Sequence, residues 1–74
     1  MKRILMFNIY KGESKYVGEG VDVPIVTQGN TIDEVTANIK EALTLHLEED
    51  DLSEYGVAPN PSVLVNFELD MAHA

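Results

Sequence analysis

Residues 2–10 alternate along an extended chain. Leu5, Phe7 and Ile9 fall on one side, and Ile4, Met6, Asn8 and Tyr10 on the other, because successive strand side chains point to opposite faces. Both sides are largely apolar, which predicts a first strand covered on both faces. Gly12-Glu13-Ser14 reads as a turn, and residues 15–21 as a second strand whose main packing residues are Tyr16 and Val17. Gly18 and Gly20 weaken that strand and mark a bulge or a close backbone approach. The short connection makes the pair a hairpin. Residues 22–28 are extended, but Pro24 supplies no amide donor, so they form an edge or irregular third strand with Val26 and Thr27 as its best strand residues.

The period then changes. Gly29 and Asn30 form a turn, and Thr31 stands three residues before Glu34. This is a capping box, in which the threonine oxygen takes a backbone N–H and the glutamate reaches back to the cap residue. Asp33 and Glu34 also suit the positive end of the helix dipole. A helix is predicted to about residue 49, with Ile32, Val35, Ile39, Ala42, Leu43 and His46 on one face and Leu45 and Leu47 flanking it. Glu48, Glu49, Asp50 and Asp51 then oppose the negative end of the dipole, so this end is expected to fray unless something positive meets it. Residues 53–61, broken by Gly56, Pro59, Asn60 and Pro61, read as a loop. Residues 62–69 read as a last strand with Val63, Val65, Phe67 and Leu69 on a core face, followed by a short tail. The expected fold is therefore α+β, in the order β-β-β-α-β, as one domain over residues 1–74. The helix covers one face of a small antiparallel sheet, and the apolar residues of the other face need a partner, for which a second copy of the chain would serve.

Composition narrows the function. A chain of 74 residues builds only a small core, and with no cysteine it has no disulfide to staple it, which leaves oligomerisation. The apolar run after Met1-Lys2-Arg3 is too short for a signal peptide, and no stretch approaches a membrane span, so the expected location is cytoplasmic. The net charge is −8, and of 13 acidic residues 12 follow residue 15, where Lys40 is the one lysine or arginine. Such a surface repels phosphate backbones, which argues against direct nucleic-acid binding, and it attracts a basic partner. The plainer reading is a solvated acidic surface that keeps a small protein dissolved.

Recognisable chemistry is sparse. There is no phosphate loop, zinc spacing or catalytic triad pattern. His46 sits in an apolar stripe without a second histidine beside it, which reads as a packed or interface residue, and His73 lies in the tail. Glu19, Asp22 and Asp70, on or beside strands, are the carboxylates a metal-dependent nuclease would draw on, but most acids are consecutive at one helix end and point in different directions. Phe7, Tyr10 and Tyr16 lack the Lys and Arg that accompany a base-stacking platform. No catalytic, metal or cofactor residue is assigned.

Val26-Thr27-Gln28-Gly29-Asn30-Thr31-Ile32-Asp33-Glu34 leads into Ala37-Asn38-Ile39-Lys40-Glu41-Ala42-Leu43 and then Leu45-His46-Leu47-Glu48. This run, residues 26–48, resembles the HicB antitoxin family, and the expected strand order extends the likeness along the chain. Asn38 and Glu41 then face a strand end or a subunit contact. The resemblance implies a pared-down RNase H-like fold that assembles as a homo-dimer or homo-tetramer. It also implies a partner, a HicA-type toxin, which is a small basic RNA-cleaving protein whose active surface the antitoxin covers. Two departures stand out. Only Asp22-Val23-Pro24-Ile25 remains of the family's Pro-rich stretch, and these residues include no C-terminal DNA-binding segment, as in a short form.

The resulting expectation is a non-enzymatic, antitoxin-like domain that occludes a basic toxin. Its candidate contacts are Glu19, Asp22, Glu48, Glu49, Asp50 and Asp51, and Gly29, Thr31 and Glu34 form its structural motif. The alternatives are a stand-alone homo-oligomer with another protein partner and, after it, a metal-dependent nuclease.

Overall fold

The alternation of the first residues gives strand β1 (Lys2–Lys11), which turns back into β2 (Tyr16–Gly20). A folded loop then leads to β3 (Val26–Gly29), helix α1 (Ile32–Glu48), a 3-10 turn (Ser53–Tyr55) and β4 (Val57–Phe67). The structure, a computed structural model, describes residues 1–49, 52–69 and 71. The sheet order is β3-β2-β1-β4, with α1 packed on one face. The fold is α+β, and β3, which follows Pro24, is an edge strand as its sequence demands.

The sheet is mixed rather than wholly antiparallel. β2 runs antiparallel to both neighbours, but β4 pairs parallel with β1. The cause is the helix. Seventeen residues of α1 carry the chain back along the sheet, so β4 starts from the end where β1 starts, as a crossover connection requires. Lys2 N–H donates to Gly56 O at 2.6 Å at this shared end.

β4 also begins earlier than its prolines suggest. Lys2 pairs with Val57 and Ile4 with Ser62, so Arg3 alone stands opposite Ala58 to Pro61. The surplus residues bulge out of the ladder, and Pro59 and Pro61 sit in that bulge on an edge strand, where a missing donor costs little.

Leu5, Phe7 and Ile9 are fully buried and face Val35, Ile39 and Leu43 of α1, with Val23, Ile25, Leu52 and Val57 closing the core. Thr31 caps the helix, and its Oγ1 accepts from Glu34 N–H at 3.0 Å. The return bond differs from the expected box, because Glu34 Oε1 accepts from Asn30 N–H, one residue before the cap, at 3.2 Å. Gly29 ends β3 rather than forming the turn. A Cβ there would lie 3.0 Å from Val35 N and 3.1 Å from Glu34 Cβ, so its role is to let the helix start close to the sheet.

The last strand differs most from expectation. Val63, Val65 and Phe67 pair with Leu5, Phe7 and Ile9 and therefore face the helix side. However, α1 lies over β2 and β3. Val65 is half-buried, but Val63 and Phe67 remain 36% and 43% exposed.

Gly18 and Gly20 are sites of close approach. A Cβ on Gly18 would meet Val35 Cγ1 at 2.8 Å and Ile39 Cδ1 at 2.9 Å, and one on Gly20 would meet Val23 O at 2.6 Å. The first obstacle is the end of a side chain. The second is the backbone of a loop closed by Gly20 N–H to Ile25 O (2.8 Å) and Ile25 N–H to Val23 O (2.9 Å). Gly20→Ala is therefore expected to cost about 2–3 kcal/mol in urea unfolding and Gly18→Ala about 1–2 kcal/mol. The reverse order would show that the loop gives more easily than the core.

Candidate partner-binding surface

The candidate surface begins with the helix. Its sheet-facing line is Val35, Ile39 and Leu43. Glu34, Glu41 and Glu48 recur every seven residues, so they form one line along the opposite, exposed side. Glu49, the C-cap, lies beside its end and points to another side, and Asp33 lies beside its start. Lys40 is the only lysine or arginine on the helix. Leu45, 51% exposed, flanks the line.

Beside this line, Thr27, Asn38, Glu41, Ala42 and Leu45 line a shallow groove between α1 and β3. Asn38 fixes its floor by donating from Nδ2 to Gln28 O at 2.8 Å, so this residue does face a strand. The result is a small apolar patch of Ala42 and Leu45 edged by Thr27, Asn38 and the acidic Glu41, which suits a partner whose cationic side chains carry apolar stems.

The six sequence candidates do not form one cluster. Glu48 and Glu49 are exposed at the end of α1. Asp22 lies at the end of the sheet where β1 starts and is held by Lys2 Nζ at 3.0 Å. Glu19 pairs with Asn8 and points away from the helix, where its Oε1 accepts from Tyr10 O–H at 3.3 Å. Desolvation first, then the charge of Glu19 and this hydrogen bond, raise the Tyr10 phenol above its ordinary value. Asp50 and Asp51 lie outside the described residues, as do Asp70 and His73. In the sequence Glu34 reads as a cap and a favourable charge for the helix dipole, and Glu41 as a polar contact. The seven-residue spacing with Glu48 was the signal that joins them.

The second surface is the sheet face opposite α1. It carries Ile4 (60% exposed), Leu64 (49%) and Val26 (66%), with Met6 half-buried among them. Among the described residues no element packs on the second face of β1. At its centre Asn66 Nδ2 donates to Asn8 Oδ1 at 3.3 Å. Its charged groups are few, since Lys2 is matched by Asp22 and Glu19 is engaged by Tyr10. Phe7 and Tyr16 face the helix side and Tyr10 this one, so the three aromatics share no platform.

Among the described residues no three His, Asp or Glu side chains converge in a way that would hold a metal ion. His46 is half-buried on the helix. No helix among them is long and apolar enough to cross a membrane. Comparison with family models, curated proteins and solved structures returns no match.

Proposed function

We propose that this chain is a non-catalytic binding domain that sequesters a small basic protein, as an antitoxin of the HicB type does with a HicA-type ribonuclease. The observation that carries this reading is the acidic line Glu34–Glu41–Glu48, with Glu49 beside its end, which runs along an exposed helix beside the groove of Leu45 and Ala42. The net charge of −8 adds long-range attraction for a basic partner and repulsion of nucleic acid. The resemblance of residues 26–48 to the HicB motif supplies the partner class, because those residues build the capped helix and its groove. In this reading Glu48 and Glu49 are direct contacts, and Asp22 and Glu19 lie outside the docking surface.

The test is inhibition. The tagged chain is recovered from its native host at low salt, and any small basic protein that comes with it is purified and assayed for RNA cleavage. Stoichiometric inhibition on adding the chain back, relieved by raised salt, is the expected result. A chain that retains no basic protein, or leaves the ribonuclease active, would overturn the reading.

A further inference from the structure

The outer edge of β4 has a defined capacity that the acidic helix does not explain. β4 is the last strand of the sheet, and among the described residues no strand lies beyond it. Natural edge strands carry prolines, bulges or charges that stop them pairing with other chains. The first part of β4 does so with Pro59, Pro61 and the bulge. Residues 62–67, Ser-Val-Leu-Val-Asn-Phe, carry no proline, glycine or charge in a chain of net charge −8. Val63, Leu64 and Phe67 are exposed there. Of the two sheet edges among the described residues, β3 is also uncharged but only four residues long and ends in Gly29, so β4 offers the longer edge where two copies meet with little repulsion.

The hydrogen-bond parity selects a register. Glu68 N–H donates to Ile9 O at 2.9 Å, so the backbone groups of Glu68, Asn66 and Leu64 turn toward β1. Those of Val63, Val65 and Phe67 therefore turn outward. In an antiparallel pairing about a two-fold axis at Val65, Val65 meets its own copy and Val63 meets Phe67 of the other chain. Each such pair exchanges two hydrogen bonds, so every outward group of the three residues is used. A pairing centred on Leu64 would place Phe67 against Pro61, which has no donor. The Val65 register also sets the exposed Phe67 and Val63 side by side on the helix side of the joined sheet.

We propose that the β4 edge binds a second copy of this chain, antiparallel and centred on Val65, to give a continuous eight-stranded sheet. This does not depend on the basic partner, and it leaves the helix groove free on both copies.

The chain has no cysteine, so single replacements report the register. In the pair, Val65 Cα atoms lie about 5.5 Å apart, within reach of a disulfide, whereas Phe67 is separated from its counterpart by about four residues of strand rise, roughly 13 Å along the strand. The full chain is sedimented at micromolar concentration, and Val65→Cys and Phe67→Cys are oxidised mildly. A dimer of the parent chain, with covalent dimer from Val65→Cys at least tenfold above that from Phe67→Cys, is the expected result. Hydrogen exchange on the parent chain, which needs no variant, is expected to show Val63, Val65 and Phe67 amides protected more at high concentration than at low. A monomer at 100-fold higher concentration, equal cross-linking by the two variants, or a dimer with those amides unprotected would each overturn the proposal. The last outcome would place the contact on another surface, such as the open sheet face.

Discussion

Phe7→Ala is expected to leave the isolated chain largely unfolded at room temperature. Phe7 is fully buried in the central strand, beside Val65 of β4 and Gly20 of β2 and beneath the helix. Truncating a buried phenylalanine costs about 3–5 kcal/mol, as lost transfer energy and a cavity that the surroundings fill only in part. A domain of this length has roughly 4–11 kcal/mol to lose, and its small core and lack of disulfides put it toward the low end. Circular dichroism in a urea series checks this. Ile4→Ala, three residues away on the opposite face and 60% exposed, is expected to cost less than about 1 kcal/mol. Equal losses from the two variants would mean that the open face is covered as fully as the helix side.

That contrast marks what the pattern of residues reveals. Alternation in β1 separates Leu5, Phe7 and Ile9 from Ile4, Met6 and Asn8, and the structure keeps that separation. Thr31 and Glu34 mark the helix start because a cap is local chemistry, and Pro24 marks an edge because a missing donor has the same effect in any fold. What alternation does not carry is which faces lie under the helix. Val63 and Phe67 alternate as cleanly as Phe7, yet α1 passes over β2 and β3 and leaves them half open. Pro59 and Pro61 look like loop residues because a strand bulge on an edge uses the same residues as a turn. Parallel pairing of β1 and β4 is a property of the crossover and leaves no mark in either strand. The candidate acids dispersed for a related reason. Glu19 lies on β2 and Asp22 just beyond it, but neighbouring side chains take them, Tyr10 in one case and Lys2 in the other.

Reversing Glu41 and Glu48 to lysine is expected to move stability and partner binding in opposite directions. Both side chains are exposed, and neither belongs to the core. Glu48 ends the helix, where backbone carbonyls make the field negative, so Glu48→Lys replaces an unfavourable charge by a favourable one and should add roughly 0.3–1 kcal/mol. A thermal melt of the double variant should therefore match or exceed the parent. Binding to the basic partner should fall at least about tenfold at low salt, mostly through a slower on-rate, because the attraction that steers encounter is weakened. The same net change made by Glu13→Lys with Glu68→Lys, both exposed and away from the helix, separates position from total charge. That control is expected to retain most of the affinity. If both pairs weaken binding equally, the acidic line is only part of a diffuse field and the helix groove is not the docking surface. If the helix pair weakens binding while the fold gains stability, the acids at the end of α1 are kept for the partner at the expense of the helix.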